Sequence, residues 1–142
     1  GIDVPNEQSG LVPTPEYYKK VYKGWRWKSS TIISLSIGQG EIATTPLQLA
    51  NITAAISNRG WWYIPHLAKR IDDPAFYKDN NFFVKQKTLI DSVYFESVVD
   101  AMYLTVEQGT ARASRIEGIS MCGKTGTVQN PQGEDHSIFI SF

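Results

Sequence analysis

The tetrapeptide Lys-Thr-Gly-Thr at residues 124–127 combines side chains that could bind and polarise a substrate. Its lysine offers a positive charge and a route for protons, and its threonine hydroxyls can donate hydrogen bonds to a carboxylate. Gly126 has no side chain, so a peptide-like substrate could lie against the strand edge and pair with its backbone. Considered without its context, a Lys-Thr-Gly triplet is also typical of a strand that ends in a turn.

The same region matches a phosphate-binding pattern, because residues 118–125 fit Gly-x-x-x-x-Gly-Lys-Thr. A phosphate loop follows a buried strand and opens a helix whose N-terminal amides hold the anion. Residues 111–115 are not an apolar strand, and residues 126–131 contain a glycine and a proline that disfavour a long helix. We therefore expect a strand here. Nucleotide binding remains an alternative that a titration with ATP and Mg²⁺ would test.

The elements around the tetrapeptide predict a β-hairpin. An extended pattern covers about 119–129, Pro131 and Gly133 indicate a turn, and a second extended pattern covers 136–142. Antiparallel pairing of the two strands places residues 124–127 on the first strand of the hairpin.

Cysteine and histidine are too few for a disulfide or a structural zinc site. The chain has one cysteine and two histidines, and its acidic pairs lack the spacing of metal ligands, so we expect no metal and no cofactor. Strand alternation places Cys122 on the face of Lys124, where we expect a small buried residue; a reactive thiol is the alternative. His136 is expected to be structural or exposed.

A first long helix is predicted at residues 46–58. Hydroxyl residues at 44–45 precede Pro46, which is a helix-start pattern, and Gly60 is placed to adopt a left-handed conformation at the end. This segment is apolar nearly all round, which predicts a buried helix.

A second long helix is predicted at residues 92–108, with Asp91 as its cap and Gly109 at its end. Its apolar residues keep the spacing of one helix face, which predicts that they are buried together: Phe95, Val98, Val99, Met102 and Val106.

The other segments carry weaker patterns. Residues 1–30 are rich in proline and glycine and are expected to be irregular, with Trp25 and Trp27 as packed aromatic side chains. Elsewhere we expect a short helix at Glu16–Tyr22, weak alternation at 31–37 before Gly-Gln-Gly, extended segments at 61–64 and 67–71, and a loop with a short strand at 72–90.

Composition excludes several classes of function. The 142 residues include 14 basic and 14 acidic side chains, so the formal net charge is zero, which argues against nucleic acid or an anionic membrane surface as a partner. The 42% apolar content is ordinary for a globular protein, and no signal peptide or 18-residue apolar run is present. The sequence starts at Gly1 and stops after an apolar run, which suggests an excised fragment.

Residues 124–126 resemble the third active-site motif of penicillin-binding proteins and serine β-lactamases, in which S-x-x-K, S-x-N and K-T-G line one cleft. Residues 37–40 and 45–48 are similar to a characteristic stretch of class B penicillin-binding proteins, above all the elongation or rod-shape type. Further matches follow in the family's order: Gly1–Asp3, Ser9-Gly10, Pro13-Thr14, Asn58–Gly60, Pro65-His66 and Gln108–Ala111.

The resemblance implies an α+β fold, with helices on both faces of an antiparallel sheet, and a serine D,D-transpeptidase that cross-links peptidoglycan stem peptides through an acyl-enzyme. It also implies that β-lactams are trapped at that stage. By position, Lys124 supplies positive potential and moves protons, while the hydroxyls of Thr125 and Thr127 bind the carboxylate. The Thr127 N–H is one donor of the oxyanion hole.

One departure from the family is clear, since neither S-x-x-K nor S-x-N occurs in the 142 residues. We expect both motifs to lie before Gly1 in a membrane-anchored parent with an extracytoplasmic catalytic domain. The chain is then a single partial domain, residues 1–142, inactive alone and unable to bind penicillin covalently. A non-catalytic peptide-binding or scaffold module on the same fold is the alternative. An uncovered edge on the strand at 136–142 predicts self-association or marginal stability.

Overall fold

The computed structural model describes residues 2–23, 28–69, 72–73, 75, 81–130 and 132–142. Trp25 and Trp27, the end of the extended segment predicted at 67–71, and Pro131 of the predicted turn lie outside these residues. The described elements, in chain order, are α1 (Pro15–Val21), α2 (Ser29–Ser36), α3 (Pro46–Ser57), β1 (Trp61–Trp62), β2 (Gln86–Lys87), α4 (Val93–Glu107), a 3₁₀ turn (Arg112–Ser114), β3 (Gly123–Val128) and β4 (His136–Ser141).

The contacts divide the chain into two compact units. The first unit contains Gly1–Glu7, Pro46–Gly126 and Ile138–Phe142, and the second contains Gln8–Thr45 and Thr127–Ser137. The boundary therefore crosses the hairpin of β3 and β4, each of which contributes residues to both units.

Helix α4 supplies much of the core of the first unit. Phe95, Val99, Met102 and Val106 are buried at alternating spacings of four and three residues, as predicted for one helix face. The prediction is wrong for Val98, which is 43% exposed and lies beside the buried stripe. The predicted cap is also observed, since the Asp91 carboxylate accepts a hydrogen bond of 3.1 Å from the N–H of Val93.

Helix α3 is much less buried than its apolar sequence predicts. Thr53 and Ala55 are its buried residues, while Leu47 is 43% exposed and Ile52 is 49% exposed. The prediction of a fully buried helix is wrong for this chain, because the described residues pack against only part of its circumference. A different part of the α3 surface, which includes Leu49, Ala50 and Ala54, lines an open groove together with residues 138–142.

The end of α3 differs from the prediction by one residue. The N–H of Arg59 bonds to Ile56 O (3.0 Å) and that of Gly60 to Ala55 O (2.8 Å), which is the Schellman pattern. The left-handed residue at the first position after the cap is Arg59, with φ 58°, and not Gly60. Gly60 follows at φ 100°, where a Cβ would lie 3.0 Å from the Phe95 ring, so glycine is required there by space as well as by conformation.

The second unit is organised around a tyrosine and a carboxylate. Tyr18 on α1 is 2% exposed and donates its hydroxyl to Glu41 (3.0 Å), as does Tyr22 (2.7 Å). Burial and the Glu41 contact raise the pKa of Tyr18 to about 12. The two phenols, Tyr22 most strongly, lower the pKa of Glu41.

The short segments adjust two further predictions. Residues Ser29–Ser36 form helix α2, so the weak alternation at 31–37 does not reflect an extended segment. The extended segment predicted at 61–64 is shorter in the structure, where it forms β1. This strand pairs antiparallel with β2, so that Trp61 lies opposite Lys87.

In the described part of the chain, no helix combines the length and apolar character needed to cross a bilayer.

Candidate functional site

The predicted hairpin is confirmed, and β3 carries residues 124–127. Just before β3, Cys122 exchanges two backbone hydrogen bonds of 3.0 Å with Phe142. Such a reciprocal pair marks two residues that lie directly opposite each other in an antiparallel ladder.

This pair fixes the direction in which the peptide groups of β3 point. Because peptide groups alternate along a strand, those of Thr125 and Thr127 face away from β4 when those of Cys122 face towards it. Two contacts agree with this alternation. The Thr125 carbonyl accepts a hydrogen bond of 2.6 Å from Lys124 Nζ, and the Thr127 carbonyl accepts one of 3.5 Å from Gln39 Nε2. The backbone of residues 125 and 127 therefore lines the edge of β3 opposite β4.

The side chains of the tetrapeptide alternate between the two faces of the strand. Lys124 and Thr127 are exposed, whereas Thr125 is half-buried. The hydroxyl of Thr125 lies 2.8 Å from the hydroxyl of Thr110, so a neighbouring element holds it in place. Lys124 therefore lies on one face of β3 and the two threonines lie on the other. Both faces meet at the edge of β3 that points away from β4.

Gly126 is exposed, and a Cβ built on it would meet no atom within 4 Å. Gly123, three residues earlier on the same strand, is different, because a Cβ there would lie 2.6 Å from the Phe139 ring. Packing among the described residues thus explains the glycine at 123 but not the glycine at 126. The missing side chain at Gly126 leaves space along the strand for an extended molecule.

The phosphate-loop alternative disagrees with the local structure. Gly118 lies in a turn with φ 78°, and the lysine and threonine that would open a helix lie instead on β3. A strand at this position has no helix N-terminus to hold a phosphate. In the ranges that the structure describes, no three His, Cys, Asp or Glu side chains cluster as metal ligands.

Cys122 and His136 flank the tetrapeptide without joining it. The Cys122 thiol is half-buried, and this burial raises its pKa, against a smaller opposing effect of the Arg59 charge. A raised pKa disfavours the thiolate, which supports a packing role over a reactive one. His136 is exposed at the start of β4.

Two contacts of the tetrapeptide were not predicted from the sequence. Thr110 was noted only as part of a family resemblance, and its contact with Thr125 joins residues 15 apart without any periodic pattern. Gln39 reaches Thr127 O from between Gly38 and Gly40, which have φ of 78° and 81°. The Gly-Gln-Gly spacing was the only available signal for this contact.

Comparisons with known proteins show the family to which the chain belongs. The family model described as the penicillin binding protein transpeptidase domain matches residues 1–142. The chain therefore belongs to the transpeptidase domain family of the penicillin-binding proteins.

Two curated relatives are both named peptidoglycan D,D-transpeptidase MrdA. The one from Acinetobacter baumannii is 32% identical over all of this chain, and the one from Haemophilus influenzae is 33% identical over 91% of it. The matches span 23% and 20% of those relatives, so this chain corresponds to about a fifth to a quarter of their length.

A solved structure extends the match to three dimensions. The crystal structure of Pseudomonas aeruginosa PBP2 in complex with WCK 5153 superposes with a TM-score of 0.81 at 33% identity. The match covers 99% of this chain and 31% of that one. The α+β fold of the chain is thus part of the transpeptidase fold of penicillin-binding proteins.

Proposed function

We propose that residues 124–127 form one wall of the substrate cleft of a peptidoglycan D,D-transpeptidase, and that residues 1–142 are a partial domain of it. The observation that supports this most directly is the outward edge of β3, where the peptide groups of Thr125 and Thr127 flank the open space at Gly126. An extended peptide can add to such an edge through main-chain hydrogen bonds. The stem peptide of peptidoglycan and the β-lactams that imitate it are the ligands of this proposal.

Lys124 is proposed to supply positive potential and to help move protons. Its ammonium group is exposed and donates to the neighbouring Thr125 carbonyl, so it lies beside the same strand edge. A cation at this place attracts an anionic ligand and stabilises the negative charge that develops when an acyl group is attacked.

The threonines are proposed to bind the ligand at two points. The hydroxyls of Thr125 and Thr127 donate hydrogen bonds to the carboxylate of the peptide or the drug. The outward N–H of Thr127 donates to the oxyanion, and loss of one such donor typically costs about 2.7–4 kcal/mol of transition-state stabilisation.

The nucleophile of the proposed reaction must come from another part of the enzyme, since the 142 residues contain neither S-x-x-K nor S-x-N. A serine there would attack the D-Ala-D-Ala peptide and release D-Ala, and an amine of a neighbouring stem peptide would then resolve the acyl-enzyme. We propose that the parent does this in the bacterial cell wall, outside the inner membrane, during elongation and shape maintenance. Residues 1–142 alone would bind no penicillin covalently.

The test compares two lysine variants of the full-length parent. Lys124→Ala removes the proposed cation, and Lys87→Ala removes another exposed strand lysine that lies on β2. We expect Lys124→Ala to slow acylation by a labelled penicillin by about a hundredfold or more, in line with the loss of a positioned proton-transfer group. Lys87→Ala should acylate at the wild-type rate, and equal rates for both variants would overturn the proposal.

A second measurement compares penicillin binding by the 142-residue chain with penicillin binding by the full-length parent. Incubation of the 142-residue chain with penicillin, followed by intact-mass analysis, should show the unmodified mass. A covalent adduct would contradict the assignment of the nucleophile to another segment. A parent that binds labelled penicillin only reversibly would instead support the non-catalytic scaffold alternative.

A further inference from the structure

The hydrogen bond between Thr110 and Thr125 links the candidate site to the end of helix α4. The two Oγ1 atoms are 2.8 Å apart, and both residues belong to the first unit. We infer that Thr110 is a positioning residue that orients the Thr125 hydroxyl towards the ligand carboxylate. This inference rests on the proposed function, in which Thr125 contacts that carboxylate.

The backbone of Thr110 is held firmly on both sides. Val106 before it is fully buried, and Ala111 after it is 4% exposed. Between them, a Cβ on Gly109 would lie 2.9 Å from the backbone of Thr105, so the chain turns too tightly there for any side chain. The N–H of Ala111 closes this turn on Thr105 O at 3.0 Å. Thr110 is therefore presented from a rigid support, as a positioning group requires.

The number of protons determines which hydroxyl must donate. A threonine hydroxyl carries one proton and can accept further hydrogen bonds, whereas a carboxylate only accepts. When Thr125 gives its proton to the ligand, it can interact with Thr110 only as an acceptor, so Thr110 becomes the donor. The order from Thr110 through Thr125 to the carboxylate also allows each hydrogen bond to strengthen the next.

The neighbouring Thr105 provides a matched control. Its hydroxyl donates to Ala101 O at 2.8 Å, within its own helix, and not to the candidate site. Thr110 is exposed, so replacement of its hydroxyl by a methyl group leaves the core of the unit intact. Thr105→Val and Thr110→Val thus remove the same group at the same helix end, but only the second removes a contact with β3.

The experiment is a double-mutant cycle in the full-length parent, with the second-order rate of acylation by a labelled penicillin as the readout. Thr125→Val should slow acylation by about tenfold or more, since it removes a hydrogen bond to a charged group. Thr110→Val should slow it by roughly three- to tenfold, but by less than about twofold in the Thr125→Val background, because coupled residues are not additive.

Three further variants exclude a merely structural role. Thr110→Ser keeps the donor and should restore a rate within about twofold of wild type, because a serine hydroxyl donates in the same way. Thr110→Ala repeats the loss without adding a methyl group and should match Thr110→Val. Thr105→Val should leave the rate unchanged.

The outcomes that would overturn the inference are distinct from those that would overturn the proposed function. Equal slowing by Thr110→Val in both backgrounds, no slowing at all, or equal slowing by Thr105→Val would each reject Thr110 as a positioning residue. In those cases the effect of Thr125→Val would still stand. If Thr125→Val itself acylates at the wild-type rate, the role of Thr125 fails, and the inference about Thr110 fails with it.

Discussion

Different interactions stabilise the interior of each of the two units. In the described residues, every buried apolar side chain except Tyr18 belongs to the first unit, where α4 supplies an apolar stripe. The second unit instead places the buried Tyr18 phenol against a carboxylate that a second tyrosine also contacts. The first unit thus depends mainly on the hydrophobic effect, and the second depends more on hydrogen bonds to one charged group.

This difference teaches how the response to mutation and to pH should be distributed. Loss of apolar volume should matter most in the first unit, because a tightly packed interior cannot fully close a cavity. Changes in protonation should matter most in the second unit, because its central contact requires an ionised Glu41 and two protonated phenols.

The largest expected effect is that of Met102→Ala in the first unit. Met102 is 5% exposed on α4, so its truncation should lower the free energy of unfolding by about 2–5 kcal/mol. Ile52→Ala on α3 is the control, because Ile52 is 49% exposed and its truncation should cost less than about 1 kcal/mol. Urea denaturation of the chain measures both.

Similar losses in the free energy of unfolding for Met102→Ala and Ile52→Ala would contradict the division between a packed α4 and a sparsely covered α3. The same pair in the full-length parent sharpens the comparison. A larger cost of Ile52→Ala in the parent than in the chain would mean that other segments of the parent protein cover α3.

The same contrast explains what could be predicted from the sequence. Helix α4 was predicted within a residue at its start because its apolar spacing matches a buried face. The extent to which α3 is buried could not be predicted. An apolar sequence shows which side chains a helix can bury, but not how many of them the chain covers. Helix α2 has only eight residues, which is shorter than the window over which a helical period can be recognised.

The site divides in the same way. The tetrapeptide and its strand could be predicted because glycine and hydroxyl residues within an extended pattern are visible locally. The contact of Thr110 with Thr125 could not be predicted, because it depends on the tight turn at Gly109 and joins residues that no local pattern relates. The exposed Ile138 and Phe139 agree with an uncovered apolar surface on β4, while self-association stays a prediction.

The next effect in size concerns the alkaline stability of the second unit. The pKa of Tyr18 is raised from 10.0 to about 12 by burial and by the Glu41 contact, so the folded state holds this proton more tightly than the unfolded state. The resulting stability is fully present below pH 10 and is lost as the pH rises towards 12. Tyr18→Phe should weaken this alkaline loss of stability without abolishing it, because the Glu41 contact also raises the pKa of Tyr22. Unfolding curves across that pH range measure the change.

Tyr17→Phe is the control for this measurement, because Tyr17 is a half-buried neighbour on the same helix. It should leave the alkaline loss of stability unchanged. Equal pH profiles for wild type and Tyr18→Phe would show that the phenol proton does not stabilise the second unit.

The smallest effect is expected at the ion pair that links the end of α3 to the first turn of α4. Arg59 Nε lies 2.9 Å from Glu96 Oε1, and the side chains are 36% and 59% exposed, so solvent and salt screen the pair. The Arg59 contact lowers the pKa of Glu96 below its usual 4.5, so its contribution is present above that pH and is lost as the pH falls through the lowered value. Glu96→Gln should therefore lower the melting temperature slightly at neutral pH, and the difference from wild type should shrink both in acid and in high salt.

Glu117→Gln, at an exposed glutamate outside α4, should show neither dependence. A loss as large as that of Met102→Ala would mean that an exposed charge pair, and not the apolar stripe of α4, dominates the first unit.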